Sequence, residues 1–421
     1  MAPLGSEILC IGNALVDIFA GGDEELAARY GIVEPVQHIE YEKLNGILSE
    51  LKIYSACRQE IPSLTVVSSG HARKPHARHR ACSLGECNTA CRQEIPVFAE
   101  ISSGGGSANA AKIAGLLGVK VSFAGAIGAG KGNSEARDPR SDPDRKQPEP
   151  DEFGLLFMEE LGAAGVKLRL SLKNLPTGIC LYLNTGSEIR IASSPSAALE
   201  LQENDISEEE ISRAGVILID GFMLNRPAFV RSILNMSEKY GTVVALDLSS
   251  IFIAAEHAAE IAEYERSHPL ILFMNEAEAE VFHSKLMEQG INPEFLHLLS
   301  KTLDLPKTDP VMDTCRENEK PVPGSPVLVV KLGERGAVVI AGGKIHRAEA
   351  QPIVPKETTG AGDAFCAAFL TAWIRGKSIP ECAAFGNRAA RVILDVTGTR
   401  VEKDALLNLK MAINNPSTQI K

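Results

Sequence analysis

No apolar run in this chain approaches the ~20 residues that a membrane-spanning helix needs, and the opening stretch MAPLGSEILCIGNALVDIFAGG has no basic residues ahead of its apolar part. The expectation is a soluble, cytoplasmic protein with no membrane partner. A basic excess is missing as well. Asp and Glu number 54 against 43 Lys and Arg, a net charge of −11, which argues against a general nucleic-acid binder because neutralising phosphates needs a basic surface. Nor is there a disulfide framework. The nine cysteines are scattered and odd in number, and Cys10, Cys180, Cys366 and Cys382 sit inside apolar stretches that suit buried free thiols.

What is present is an ordinary globular balance, 44% hydrophobic and 23% charged over 421 residues. That length suits one large α/β domain with a minor appendage, or two domains. Short β-branched runs alternate with amphipathic helical patterns. EILCIGNALVDIF, VKVSFAGAIG, AGVILIDGF, TVVALDLSS, PLILFMN and PVLVVKLGERGAVVIAGG read as strands, and the last third ends in the helical AGDAFCAAFLTAWIRG, IPECAAFGNRAARVILDV and KDALLNLKMAI. Alternation of this kind predicts a mostly parallel sheet covered on both faces, with its site at the carboxyl ends of the strands. Two stretches interrupt it: TGICLYLNTGSEIRIAS, hairpin-like around Asn184 to Ser187, and PVFAEIS. They suit either a small lid sheet or an edge extension of the main sheet. Three polar or Pro-rich segments, 57–90, 130–150 and 301–325, read as inserted surface loops.

Three motifs carry chemistry. In ETTGAGDAFCAAFLTAW, the small residues Gly360, Ala361 and Gly362 let the chain turn tightly into a helix whose free N–H groups favour an anion. Asp363 falls in the first turn. It is placed either as a base that takes a proton from a hydroxyl attacking a phosphoryl group, or as an ordinary cap. In SSGGGSANAAKIAGLLG, Gly104, Gly105 and Gly106 allow close backbone approach, and Asn109 follows on a helix that Ser107 could cap. In CIGNALVD, the polar Asn13 and Asp17 follow Gly12 at the end of the first strand and can hold hydroxyls.

Together these motifs resemble the PfkB, or ribokinase-like, family of sugar and nucleoside kinases. GGGSAN looks like its first signature and TTGAGDAF its second; between them, NEAE at Asn275 to Glu278 is similar to its NxxE motif, and KLGERG at Lys331 to Gly336 to its nucleotide loop. The resemblance implies an α/β, ribokinase-like, doubly wound and mostly parallel sheet flanked by helices, with a small β-sheet lid whose strands fall within 15–40, 96–103 and 176–193 of one kinase domain, 1–421. It implies ATP and Mg2+ as cofactors and direct transfer of the γ-phosphate to a primary hydroxyl of a sugar or nucleoside. "GNALVD" looks closer to adenosine-kinase-like members. Asp363 would be the general base and Gly360, Ala361 and Gly362 the anion hole. Asn13, Asp17, Gly105 and Asn109 would bind the acceptor. Lys331, Gly333, Gly336, Thr358 and Asn387 would face the nucleotide, and Asn275 and Glu278 the metal.

A homodimer through the lid is the assembly such a fold allows. The alternative is a catalytically silent sensor of the same fold that binds sugar or nucleotide without transfer. Three departures from the family stand out: Glu357 where Asp is usual, which bears on a monovalent cation; Lys331 where Thr is frequent; and a GxxGxDxxG pattern whose Gly125, Gly128, Asp151 and Gly154 align only with the charged insertion looped out.

Other patterns are decoys. GAIGAGKG, Gly125 to Gly132, imitates a phosphate-binding loop through Lys131, but Gly132 stands where Ser or Thr must reach magnesium and no helix follows. Cys82, Cys87 and Cys91 lie near His71, His76 and His79, which invites a zinc reading, but the spacings are loose for a structural site and a disordered basic loop is the favoured reading. Finally, ACRQEIP occurs at Ala56 to Pro62 and again at Ala90 to Pro96. Omitting residues 57–90 joins the copies into continuous sequence leading to the glycine motif, so the repeat reads as the mark of a duplicated segment.

Overall fold

A computed structural model describes residues 5–34, 36–51, 100–130, 148–303, 326–356, 358–395 and 406–414. Both copies of ACRQEIP, the Cys/His group, Lys131, Gly132, Glu357 and most of the three insertions lie outside the described residues. The strands are β1 (Glu7–Ile11), β2 (Leu15–Gly21), β3 (Val36–His38), β4 (Glu100–Gly104), β5 (Lys120–Gly128), β6 (Lys167–Lys173) and β7 (Gly178–Asn184). They continue with β8 (Ile189–Ser194), β9 (Ala214–Asp220), β10 (Val243–Asp247), β11 (Leu270–Asn275), β12 (Val327–Lys331), β13 (Ala337–Ala341) and β14 (Lys344–Ala348).

Nine of these form one sheet, ordered β14-β13-β12-β11-β10-β9-β1-β5-β6. Pairing is parallel from β6 to β12, and antiparallel only where β13 and β14 extend the edge. A parallel sheet needs cover on both faces, and successive residues of a strand point to opposite sides. Accordingly Ile8, Cys10 and Leu218 belong to one apolar core with Phe123, Phe273, Phe365 and Phe369, while Leu9, Ile11, Ile217 and Ile219 belong to the other with Leu246, Leu272 and Phe282. Helices Gly106–Leu116, Ala361–Ile374 and Ile379–Leu394 cover the first face; Pro227–Tyr240 and Glu276–Glu288 cover the second. No helix among the described residues is long and apolar enough to cross a membrane.

The chain divides into two compact units, and the larger comprises residues 1–17, 102–180 and 193–421. The smaller comprises 18–101 and 181–192. A second sheet orders β3-β8-β7-β2-β4. Within the smaller unit Phe19 stacks on Tyr182 with ring centroids 4.4 Å apart. Arg190 there ties Glu24, Glu188 and the Ile32 carbonyl together.

Candidate active site

In a parallel sheet every strand ends on the same edge, so terminal residues are brought together from distant parts of the chain. Here β9, β10, β11 and β12 end in Asp220, Asp247, Asn275 and Lys331. Asp247 is in register with Asp220, and Asn275 with Lys331. Helix Ala361–Ile374 starts from Gly360, which is left-handed at φ 78°. A side chain is strained at that φ, and glycine is not. The turn places Asp363 in the first helical turn.

Two predicted residues from opposite ends of the sequence meet: Asn109 Nδ2 donates to Asp363 Oδ2 over 3.0 Å. Two of the glycines before Asn109, Gly104 and Gly105, are required by close approaches. A Cβ added at Gly104 would lie 2.1 Å from Asp17 Oδ1, and one at Gly105, whose φ is 99°, would lie 2.2 Å from the Asn13 carbonyl oxygen. At Gly106 it would stand 3.5 Å from both Asp220 Oδ2 and Asp363 Oδ1, and 3.8 Å from Ser249 Oγ. Asn13 and Asp17 are buried. Asp220, also buried, accepts from the Phe222 N–H at 3.0 Å. The buried Ser107 Oγ and Asn109 Oδ1 find no hydrogen-bond partner among the described residues. Buried polar atoms normally have one, so both are available to a ligand.

The crowding of acids sets their protonation. Burial, then Asp247 and Asp220, push the Asp363 carboxyl up to about 7, against the pull of the Asn109 bond and Lys331. Burial, Asp363 and Glu160 push Asp17 up to about 7, opposed by Lys112. Asp220 is pushed up to about 6 by burial and Asp247, with the Phe222 N–H opposing. A carboxyl that titrates near neutrality can take a proton from an alcohol and release it again.

Lys331 Nζ lies 3.0 and 3.2 Å from the two Asp247 oxygens and 3.7 Å from Cys366 Sγ, which itself donates to Asp247 at 3.2 Å. Burial disfavours the ammonium, but the carboxylates of Asp247 and Glu278 outweigh it and hold Lys331 charged beyond the usual lysine range. The same Nζ would be 3.4 Å from a Cβ added at Gly362. A fixed cation therefore stands beside the N-terminus of helix Ala361–Ile374.

Asn275 and Glu278 cap each other at the start of helix Glu276–Glu288. Asn275 Oδ1 accepts from the Glu278 N–H at 2.9 Å, while the Glu278 carboxylate accepts from the Asn275 N–H at 2.9 Å and from Nδ2 at 2.8 Å. Burial and Asp247 raise Glu278 above its ordinary value, against Lys331 and Asn275. Among the described residues no three His, Cys, Asp or Glu side chains frame a metal by themselves. Gly333 and Gly336 both have positive φ, and a Cβ at Gly336 would meet the Ala348 carbonyl oxygen at 2.1 Å. Asn387 donates to the Ala348 and Glu349 carbonyls at 2.9 and 3.3 Å, so its amide holds the end of β14. Thr358 is exposed, and its carbonyl accepts from the Ala361 N–H at 3.3 Å.

Residues 150–405 match the pattern of the pfkB family carbohydrate kinases. The chain belongs to the PfkB family. It is a PfkB-family kinase, related to adenosine kinase 2 of Arabidopsis thaliana at 27% identity over 59% of this chain and 70% of that protein. Fructoselysine 6-kinase of Escherichia coli is 33% identical over 18% of the chain and 29% of that protein. Among solved structures, adenosine kinase from Sinorhizobium meliloti superposes with a TM-score of 0.64 at 21% identity, covering 97% of this chain and 99% of that one. A probable sugar kinase from Rhizobium etli reaches 0.66 at 19% identity, over 97% and 99%. The ribokinase-like α/β fold is thus the shared one.

The interrupted PfkB pattern closes in space. Ala129 bridges Pro150, and the Asp151 N–H donates to the Gly128 carbonyl at 2.9 Å. Asp151 then caps helix Glu152–Ala163 by accepting from Gly154 N–H, and also accepts from Thr177 Oγ1 and N–H. Gly128 and Asp151 are therefore neighbours despite the charged segment between them.

Asp220 and Asp247, carried in the strand-like AGVILIDGF and TVVALDLSS, are each both a strand end and a member of the acid group. Sequence reasoning read Cys366 only as a buried thiol, and it passed over Ser103, Lys112 and Glu160, which form a largely buried cluster with Lys112 Nζ 2.8 Å from Glu160 Oε2. The available signal was Lys112 itself, a lone charge in the apolar run ANAAKIAGLL.

Proposed function

We propose that this chain transfers the γ-phosphate of ATP, with magnesium, to a primary hydroxyl of a nucleoside or sugar, with Asp363 as the general base. The observation that carries this reading is the Asn109–Asp363 hydrogen bond at the start of helix Ala361–Ile374. It joins the glycine-rich acceptor motif to an anion-binding helix end. A hydroxyl held by Asn13, Asp17, Asn109 and the Gly105 backbone would give its proton to Asp363 Oδ1, while Asn109 orients the other oxygen. Charge growing on the phosphoryl oxygens would be met by the backbone of Gly360, Ala361 and Gly362 and by the Lys331 ammonium. Such catalysis rests on positioning and charge stabilisation, with no covalent enzyme intermediate.

The Asn275–Glu278 pair fits magnesium in its family role. Both side chains offer oxygen, and a single buried carboxylate suits an ion that keeps several waters and binds mainly through phosphates. When bound, MgATP supplies the phosphoryl group and neutralises charge on it. Gly333, Gly336, Thr358 and Asn387 complete the nucleotide side, Asn387 by fixing the β14 end.

Because the relatives include adenosine kinases, adenosine is the first acceptor to test. Purified chain with MgATP should phosphorylate adenosine, or another member of a panel of nucleosides and sugars. Binding of an acceptor with no turnover across the panel would replace the kinase reading by that of a silent sensor.

A further inference from the structure

Lys112 is a buried cation on helix Gly106–Leu116, one turn beyond Asn109, and the reaction described above makes no use of it. Its Nζ contacts Ser103 Oγ at 3.0 Å and Glu160 Oε2 at 2.8 Å. The same Glu160 oxygen accepts from the Ser103 N–H at 3.0 Å and from its hydroxyl at 2.9 Å. The Lys112 and Glu160 side chains are 9% and 18% exposed. An ion pair so shielded costs more to bury than a surface pair, so its presence asks for a reason.

The reason lies one residue further along. Ser103 precedes Gly104, whose missing side chain is where the Asp17 carboxyl rests. The cluster thus clamps the strand end that forms the seat of Asp17. It also sets the charge there. The groups acting on Asp17 are Asp363 from helix Ala361–Ile374, Lys112 from helix Gly106–Leu116 and Glu160 from helix Glu152–Ala163; of these Lys112 alone is cationic, and it outweighs Glu160.

We propose that Lys112, held by Glu160 and Ser103, is a positioning residue of the acceptor site, fixing the Ser103–Gly104 seat of Asp17 and supplying the positive charge that lets Asp17 receive a substrate hydroxyl as a carboxylate. The proposal deepens the acceptor reading above and rests on it for its consequence, but its physical core concerns Asp17 alone. Lys112 touches no reacting atom.

The test separates the two. Asp17 is titrated directly by carbon-13 NMR on ligand-free chain labelled at its aspartate carboxyls, the signal being assigned by its loss in Asp17→Asn. Lys112→Met should move the Asp17 midpoint up, and Glu160→Gln should move it down, each by about one pH unit. Lys112→Arg should leave it in place. Opposite signs are the key, because general loosening of the fold would move both variants the same way. In turnover at pH 7 with adenosine, Lys112→Met should lower kcat/KM for the acceptor about five-fold and leave the KM for ATP unchanged.

An Asp17 midpoint that stays in place in both variants, or moves in the same direction, overturns the proposal. So does a wild-type profile retained by Lys112→Met in turnover. If wild-type chain phosphorylates nothing while the Asp17 midpoints move as stated, the kinase reading fails and the role of Lys112 in charging Asp17 stands.

Discussion

The Asn109 side-chain amide donates to the Asp363 carboxylate over 3.0 Å, joining residues 254 positions apart. One comes from the helix after the glycine motif of β4, the other from the first turn of helix Ala361–Ile374. In the proposed reaction that bond marks the point where acceptor and phosphoryl group would meet, and the following outcomes depend on the groups packed around it.

Gly104 should not tolerate alanine. The added methyl would sit 2.1 Å from Asp17 Oδ1, so the carboxyl must leave its seat. Gly104→Ala is expected to lower kcat/KM for the acceptor by at least about ten-fold while sparing the KM for ATP. Gly162→Ala is the control, since nothing lies within 4 Å of its added Cβ; steady-state kinetics of the two variants decide the matter.

Lys331→Met should strand the Asp247 carboxylate in a buried position. Removing one partner of such a pair typically costs about 3 kcal/mol. Adding Asp247→Asn to Lys331→Met should recover at least half of the loss, because the uncompensated charge goes with it. Denaturant unfolding of the single and double variants measures both quantities; equal stability of wild type and Lys331→Met would show the pair to be inconsequential.

Protonation gives a signed prediction for stability. Asp363 stands at about 7 in the folded chain against an ordinary value of 3.8, so between those values the folded state keeps a proton that the unfolded state releases. Its contribution therefore falls as pH rises from about 4 to about 7 and is constant above. Asp363→Asn lacks this loss. Relative to wild type, it should gain at least about 1 kcal/mol between pH 4 and pH 8. Unfolding curves at the two pH values test this, and a difference independent of pH would contradict the crowding of Asp363 by Asp247 and Asp220.

The sequence carried the architecture well because alternating strand and helix patterns are local signals. VVALD, LILFMN and VLVVK read as buried strands from their own residues, and they are β10, β11 and β12. Asp363 and Asn109 were legible for a similar reason: glycines that must turn or yield space stand beside them. The ion pairs were not legible. Lys331 and Asp247 are 84 positions apart, and Lys112 and Glu160 are 48 apart. Nothing in either member's neighbourhood names its partner, which the sheet register and helix packing alone select. The Asn387 amide bonds to the Ala348 and Glu349 carbonyls were not legible either, because those partners lie 39 and 38 positions away.

The most direct measurement is transfer of radiolabelled γ-phosphate from MgATP to adenosine and a panel of nucleosides and sugars, by wild-type chain and by Asp363→Asn, with MgATP binding followed by calorimetry. The account predicts that wild type labels at least one acceptor on its primary hydroxyl. Asp363→Asn should lose about a thousand-fold or more in kcat while binding MgATP unchanged. Turnover by Asp363→Asn at the wild-type rate would contradict the assignment of Asp363 as the base.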